Sequence, residues 1–231
     1  MSRPGNKQKD WDSLKQVFSA LDQCCGFLIL RNHEELSEDS FYMDGHDDID
    51  LLCDNEKKAR EVLDVRNDVC WRSPCHGYIK IQGRDIKLGI RYVGDGYYDR
   101  SWEEQMIKSR RKNEKGLYVM DDEDYFYSLL YHALLQKKHL SEDYRKRLRS
   151  MAMGSGISLK SVQDCYRVLF AYMNEKGYKM VYPKDPTVPV NDRYVSKRLK
   201  KGYLEWRLRR ILFTPRAMMK HFIKAGSMEN G

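Results

Sequence analysis

The sequence predicts an α/β fold, in which strands and helices alternate over residues 1–120 and a helical lobe follows at residues 121–231. Short apolar runs bounded by glycines or charged residues occur in the first part, and such runs are typical of buried strands. From Asp121 onward the apolar residues recur at the three- and four-residue spacing of helices. We therefore expect a sheet-containing domain up to residue 120 and a lobe that ends in a basic C-terminal segment.

The first elements along the chain are a helix and two strands. Between Asp12 and Cys24 the apolar residues lie on one face of a helix. Gly26 then precedes the continuous apolar run Phe27–Leu30, which predicts a buried strand. After a polar segment, residues 31–46, charged and apolar residues alternate at the start of Asp48–Cys53. This alternation predicts a second strand.

A further helix and a hairpin complete the predicted sheet-containing domain. Residues 56–65 have a helical pattern, and residues 78–81 and 85–93 are expected to pair across a turn at Gly83. In the lobe, residues 125–136 and 162–173 have helical spacing. The glycines and serines of Met151–Ser158 predict a loop between these two helices.

The second predicted strand carries two carboxylates that lie two residues apart. Because successive side chains of a strand point to opposite faces, Asp48 and Asp50 share one face while Ile49 points into the core. Mg²⁺ prefers oxygen ligands and usually takes one or two carboxylates together with substrate phosphates. The pair therefore predicts a Mg²⁺ site for phosphate chemistry, and the alternative is two solvated acids at the end of a strand.

Other phosphate-binding patterns were compared with this pair. The sequence contains neither a Walker A motif nor the glycine fingerprint of dinucleotide-binding folds. The segment Gly94–Asp95–Gly96 has the backbone freedom to approach a phosphate, but glycines at this spacing more often form a turn. We expect a turn.

The net charge of +8 is concentrated near the C-terminus. Residues 193–224 contain eleven Lys or Arg and one acid, so the rest of the chain carries a net charge of −2. Leu204, Leu208, Ile211 and Leu212 align on one helical face among the basic residues. This segment packs on the protein, lies on an anionic membrane surface or holds nucleic acid. Nucleic acid is the least favoured, because no RNA-recognition signature is visible.

Membrane-spanning and secreted proteins are not favoured. The longest apolar stretch, Cys24–Leu30, is far shorter than the roughly 20 residues that a membrane span needs. The first ten residues lack the apolar segment of a secretory signal, and the six cysteines show no paired framework. We expect a cytoplasmic protein with reduced thiols.

Two sequence segments resemble the polymerase-beta-like nucleotidyltransferase superfamily. They are Phe27–Asn32 and Gly45–Leu52, the second of which contains the carboxylate pair. More narrowly, Gly94–Asp99 and Tyr127–His132 are similar to nucleotidyltransferase-like proteins of bacterial surface-polysaccharide gene clusters. The resemblance covers about residues 14–145. It implies a mixed sheet flanked by helices, a catalytic domain at residues 1–120, and transfer of a nucleotidyl group from a nucleoside triphosphate to a hydroxyl.

The sequence departs from this family at two positions. The family has Gly-Gly or Gly-Ser after its first strand to cradle the triphosphate, and this chain has Arg31-Asn32. We expect Arg31 and Asn32 to bind nucleotide phosphates in an altered way, because a guanidinium matches phosphate geometry. The family also has a third carboxylate on a later strand, where this chain has Gly89. Asp85 lies on the same face, two pleat repeats away, and is the candidate third catalytic acid.

The expected function follows from the carboxylate pair and the resemblance together. It is Mg²⁺-dependent transfer of a nucleotidyl or phosphoryl group from a nucleoside triphosphate to a hydroxyl acceptor, such as a saccharide or a lipid-linked compound. The alternative is a catalytically inert nucleotidyltransferase-like protein that binds a partner or an anionic surface through its basic tail. Gly89 is the main support for the alternative.

Overall fold

The computed structural model of the chain describes residues 8–34, 36, 48–67, 76–137, 140–154, 156–185 and 187–209. Gly45–Asp47 of the resemblance and the basic tail from Arg210 onward lie outside these residues. The strands are β1 (Asp10–Trp11), β2 (Phe27–Ile29), β3 (Asp48–Cys53), β4 (Arg66–Asn67), β5 (His76–Ile81), β6 (Arg84–Tyr92), β7 (Arg111–Lys112), β8 (Tyr118–Val119), β9 (Met180–Val181) and β10 (Lys200–Lys201). The helices are α1 (Leu14–Asp22), α2 (Glu56–Val62), α3 (Arg100–Ser109), α4 (Asp122–Leu135), α5 (Glu142–Gly154) and α6 (Val162–Lys176).

The first eight strands form one mixed sheet. Its order is β1-β5-β6-β3-β2-β8-β7, and β4 pairs with β5 at the side. The central strand β3 is parallel to β6 and antiparallel to β2. The mixed sheet flanked by helices that was predicted from the sequence is therefore confirmed.

The two faces of the sheet pack against different helices. Alternate residues of β3, Ile49 and Leu51, join one hydrophobic core with the apolar faces of α1 and α2. Leu52, together with Leu28 and Leu30 of the β2 region, joins a second core that contains the buried residues of α4, α5 and α6. The sheet and the helical lobe therefore share a hydrophobic core, and a boundary at residue 120 stays a prediction.

The hairpin β5–β6 forms as the sequence predicts. The strands pair antiparallel from His76 opposite Gly89 to Ile81 opposite Arg84. Gln82 and Gly83 close the turn with φ values of 49° and 79°. Two consecutive positive φ values define the tight turn whose twist matches that of the flanking strands, which is why a glycine is favoured there.

The lobe differs from the prediction in α5, a helix that was not predicted. It buries Leu148 and Ala152 against the lobe core, and its last turn, residues 151–154, replaces part of the predicted loop. Burial of these apolar side chains outweighs the low helix propensity of Gly154 at the helix end. The helix α6 begins at a capping box of Ser161 and Asp164.

Several elements were not predicted from the sequence. They include α3, the strands β7 and β8, and the short parallel pair β9–β10. These four strands are two residues long, so they lack a periodic pattern that a sequence reading could detect. Among the described residues, no helix is long and apolar enough to cross a membrane.

Candidate functional site

The two aspartates of β3 lie on the sheet face that is directed toward the helical lobe. Asp48 is exposed, Asp50 is partly buried, and Ile49 between them is buried on the opposite face. Leu52, the next residue on the face of Asp50, is buried in the core shared with the lobe. The pair therefore lies at the boundary between the exposed part and the buried part of this sheet face.

Arg31 forms an ion pair with Asp50. Its Nη2 donates to Asp50 Oδ2, and the exposed fractions of the two side chains are 12% and 17%. The backbone brings them together, because the amide of Leu30 donates to the carbonyl of Asp50 over 2.8 Å just beyond the last paired residues of β2. Burial alone would lower the pKa of Arg31, but Asp50 together with nearby tyrosines, of which Tyr97 acts most strongly, more than offsets this and the pKa is raised.

Two buried side chains hold the guanidinium of Arg31 from the other side. Its Nη1 donates to the Tyr97 hydroxyl over 2.7 Å and lies 3.3 Å from His132 Nδ1. The Tyr97 hydroxyl and His132 Nδ1 are 3.0 Å apart, and Gln136 Oε1 is 3.0 Å from the same nitrogen. Burial and then Arg31 shift the pKa of His132 well below its ordinary value, so the imidazole is neutral at pH 7.

Neither Tyr97 nor His132 was singled out as a site residue from the sequence. Both lie in segments of the narrower resemblance, which was the available signal, but they are 66 and 101 residues away from Arg31. Together with Gln136, they fix the position of Arg31 beside the carboxylate pair.

Asn32, the second predicted nucleotide-binding residue, occupies a turn directly after Arg31. Its φ of 57° is in the left-handed region, which is unfavourable for most residues but accessible to glycine and asparagine. Its Oδ1 accepts a hydrogen bond of 2.9 Å from Arg147 Nη1 of α5. The chain thus adopts a backbone conformation here that a glycine would also adopt, and a lobe residue holds the side chain.

Gly89 lies directly beside Asp50 in the parallel pair of β6 and β3. A Cβ atom at Gly89 would lie 2.2 Å from Asp50 Oδ1 and 3.5 Å from His76 Cδ2. His76 is opposite Gly89 on β5, so His76, Gly89 and Asp50 form a row across three strands. Asp50 therefore fills the space that a side chain at position 89 would need.

Asp85, the candidate third acid, does not join the pair in this structure. It lies on the same face of β6, but Lys87 is the residue opposite Asp48 and Gly89 the residue opposite Asp50. The carboxylate of Asp85 instead accepts a hydrogen bond of 2.6 Å from Arg66 Nη2 at the exposed side of the sheet. The extension of β6 beyond β3 explains this, because two residues of strand span about 7 Å.

The segment Gly94–Gly96 forms a turn around buried carboxyl groups. The amide of Gly94 donates to Glu103 Oε2 over 2.6 Å, and the amide of Tyr98 donates to Glu103 Oε1 over 2.9 Å. Asp95 is buried beside Glu103, and its Oδ2 lies 3.8 Å from Arg91. Burial and Asp95 raise the pKa of Glu103, which is therefore protonated at pH 7. The amides of Gly94 and Tyr98 therefore bind the carboxyl group of Glu103 within the turn.

The site offers two carboxylates on one sheet face, Asp48 and Asp50, and Asp50 is paired with Arg31. Mg²⁺ usually takes one or two protein carboxylates and its other ligands from phosphates and water, so these two residues are the ones that could hold it. A two-ion site needs more protein oxygens, and the described residues contain no cluster of three or more His, Cys, Asp or Glu side chains that could hold a metal ion. The neighbouring His46 and Asp47 lie outside the described residues.

Comparisons with known proteins give little further information. No protein-family model matches the chain, and no curated protein matches it. Among solved structures, the chain is similar to the solution structure of the antibiotic-resistance factor ANT(2'')-Ia, with a TM-score of 0.40 and 11% sequence identity. The match covers 71% of this chain and 91% of that chain.

Proposed function

We propose that this protein catalyses Mg²⁺-dependent transfer of a nucleotidyl or phosphoryl group from a nucleoside triphosphate to a hydroxyl acceptor, such as a saccharide or a lipid-linked compound. The observation that carries the proposal is the position of Arg31 beside two carboxylates that share one sheet face. Phosphate chemistry requires carboxylates that hold a cation and a guanidinium that binds phosphate, and both must lie at the same site.

The residues have distinct roles in this proposal. Asp48 and Asp50 would hold a Mg²⁺ ion, which would offset the negative charge of the phosphates. Arg31 contributes its Nη2 to the phosphates, and Asn32 shapes the turn over which they lie. Tyr97 and His132 are positioning residues, because they hold one nitrogen of Arg31 while the other faces Asp50.

Arg31 and a cation would compete for the negative charge of Asp50. In the structure its guanidinium neutralises the carboxylate. A bound Mg²⁺ ion would replace that positive charge, and the freed nitrogen of Arg31 would then donate to a phosphate oxygen. The proposal therefore predicts that cation and nucleotide bind with positive coupling.

A thermal-shift titration with nucleoside triphosphates, with and without Mg²⁺, tests this function. A ligand that binds the folded state raises its stability, so the wild type should be stabilised most when both are present. Asp48→Asn and Asp50→Asn should lose the Mg²⁺-dependent part. Asp143→Asn, at an exposed position of α5, is the control for removal of one acid. Equal responses in all four proteins would refute the assignment of the metal site.

A second candidate function is that of a catalytically inert relative of nucleotidyltransferases. The favouring observation is the pair Asp50–Gly89, because Asp50 fills the place where the family has a third carboxylate. Single-turnover transfer from a radiolabelled triphosphate to a panel of hydroxyl acceptors distinguishes the two. Nucleotide binding without transfer to any acceptor would favour the inert protein.

In either case, we propose that the basic C-terminal segment binds an anionic membrane surface. Residues 203–209 are helical, and Trp206 packs against the lobe core beside Tyr182, as expected for a segment that packs on the protein. Leu204 and Leu208 of the same helix are 74% and 61% exposed. Arg207 and Arg209 lie beside them, and the basic sequence continues beyond the described residues. Exposed leucines flanked by arginines are typical of helices that lie on anionic lipid. Nucleic acid is the weaker alternative for the same charge.

A further inference from the structure

A basic cavity lies beside the Arg31–Asn32 turn, between the sheet and the lobe. Its volume is about 1010 Å³, which is at the upper end of the range of about 300–1,000 Å³ for small-molecule sites. Four segments form its walls: residues 33–34, residues 111–115 before β8, residues 119–125 from β8 into α4, and residues 146–151 of α5. Its basic side chains are Arg111, Lys112, Lys115, Lys146 and Arg147.

The acids that line the cavity neutralise only part of this positive charge. Glu34 accepts a hydrogen bond of 2.7 Å from Arg147, and Asp122 is paired with Arg111. Glu114 is the remaining acid among the described lining residues. Against it stand Lys115 and Lys146, so the described part of the cavity keeps a net positive charge.

Two of the cavity lysines are weakly engaged by other groups. Lys115 Nζ donates to the backbone carbonyls of Glu34 and Leu36, and Lys146 is exposed on α5 and has no ion-pair partner among the described residues. Lys112 Nζ instead lies 3.9 Å from Asp22 of α1, away from α5. The ammonium groups of Lys115 and Lys146 can therefore turn to a ligand without giving up a strong carboxylate pair.

The environment of His33, at the edge of the cavity, agrees with a positive electrostatic potential. The pKa of His33 is lowered, first by burial and then by Arg147, Lys115 and Arg111, while Glu34 acts in the opposite direction. Cations that disfavour a charged imidazole favour an anion in the same space.

The cavity is physically joined to the candidate active site. Arg147 donates to Asn32 Oδ1 over 2.9 Å and to Glu34, and the Tyr125 hydroxyl donates to Glu34 over 3.1 Å. Asn32 directly follows Arg31, which contacts Asp50. A ligand in the cavity would thus contact the same turn that borders the carboxylate pair.

We propose that this cavity binds a phosphate group of a substrate, as a site separate from Asp48 and Asp50. The cavity offers both guanidinium and ammonium groups, and a multiply charged phosphate gains most from several such donors. The phosphate belongs either to the nucleoside triphosphate or to a phosphorylated hydroxyl acceptor. Its role in transfer rests on the proposed function, but binding of the phosphate itself does not.

The test is isothermal titration of inorganic pyrophosphate into the full chain in EDTA, where no cation is available to the carboxylate pair. Wild type should bind, and Lys146→Ala and Lys115→Ala should each weaken binding about tenfold, as expected for loss of one charge-assisted hydrogen bond. Lys57→Ala is the control, because Lys57 is an exposed helical lysine on α2, which packs with the other hydrophobic core. Lys57→Ala should bind as wild type.

Two results would overturn the proposal: absence of binding to wild type, and equal binding by wild type and the cavity variants. Equal weakening by Lys57→Ala would also overturn it, since net charge alone would then explain the effect. Asp48→Asn should bind pyrophosphate normally, so failure of the metal site leaves this proposal intact. With Mg²⁺ and ATP, weakening by Lys146→Ala identifies the triphosphate as the source, and unchanged affinity excludes it, which leaves a phosphorylated acceptor as the source.

Discussion

Asp50 and Gly89 are direct neighbours in the parallel strand pair at the centre of the sheet, and a Cβ atom at Gly89 would lie 2.2 Å from Asp50 Oδ1. Such a distance is impossible for real atoms, so the carboxylate of Asp50 occupies the space that Gly89 leaves empty. The absence of a side chain at position 89 therefore leaves room for the carboxylate of Asp50 in its ion pair with Arg31.

Replacing Gly89 should affect Asp50 before it affects the fold. In Gly89→Ala the carboxylate must move, and overpacking of this kind costs about 1–3 kcal/mol. Gly89→Asp adds a second carboxylate at the same place, so we expect a larger loss in EDTA that Mg²⁺ partly restores, because a cation relieves the repulsion. The measurement is the thermal midpoint with EDTA and with Mg²⁺.

Gly154→Ala is the matched control for this pair of variants. Nothing lies within 4 Å of a Cβ atom at Gly154 at the end of α5, so the substitution should be neutral or slightly stabilising. If Mg²⁺ raises the midpoint of Gly89→Asp no more than that of wild type, position 89 does not face a cation site. Gain of transfer activity in Gly89→Asp would identify the natural chain as a degenerate enzyme.

The ion pair of Arg31 with Asp50 should contribute measurably to stability. Its two side chains are mostly shielded from water, and removal of one partner from such a pair costs up to about 3–5 kcal/mol when burial is complete. We expect about 2–3 kcal/mol for Arg31→Ala, and less for Asp50→Asn, because Arg31 keeps its bond to Tyr97. Asp48→Asn should be nearly neutral, since Asp48 is exposed.

Urea unfolding of the two single variants and the double variant measures the coupling between Arg31 and Asp50. A double-mutant cycle should give a coupling of about 1–3 kcal/mol. Arg31→Lys should not restore it fully, because an ammonium cannot bond Asp50 and Tyr97 through separate nitrogens as the guanidinium does. Additive effects of the two single variants would show that the ion pair adds no stability.

Stability should fall as the pH rises, because of Glu103. Burial and Asp95 raise the pKa of Glu103 from 4.5 to about 9 in the folded protein. The folded state therefore holds this proton more tightly than the unfolded state. The resulting contribution to stability is complete below pH 4.5 and is lost progressively as the pH rises to about 9.

Glu103→Gln should remove most of this pH dependence. The amide stays neutral at every pH, although it offers only one oxygen to the amides of Gly94 and Tyr98 and so costs about 1–2 kcal/mol. The measurement is the free energy of unfolding between pH 5 and 9. A slope that is equal in wild type and Glu103→Gln would contradict the assignment, whatever the absolute stabilities are.

The local features of the sheet could be predicted from the sequence. The alternation in Asp48–Cys53 placed both aspartates on one face and Ile49 in the core, and the glycine turn gave the hairpin β5–β6. These features depend on residues that are near one another in the chain, so a pattern with a period of two is sufficient.

The partners of the site residues could not be predicted in the same way. Arg31 was expected to bind phosphate, but its contacts with Asp50, Tyr97 and His132 join residues that are 19, 66 and 101 positions apart. Asp85 shares the face of the pair, yet only the register of β3 against β6 reveals that it lies beyond Asp48 and bonds Arg66. Such contacts depend on strand order, which no local pattern specifies.

Binding to anionic vesicles tests the role proposed for the C-terminal segment. Leu204 and Leu208 should enter the lipid surface, and burial of each contributes about 1.5–3 kcal/mol, so Leu204→Ser/Leu208→Ser should weaken binding at least tenfold. Arg207→Gln should weaken it less, and high salt should reduce binding of every protein.

Met153→Ser is the matched control, because Met153 is 82% exposed on α5. Sedimentation with phosphatidylserine vesicles measures this. Equal binding to vesicles of pure phosphatidylcholine, or an equal loss in Met153→Ser, would show that neither the charge nor this helix determines binding.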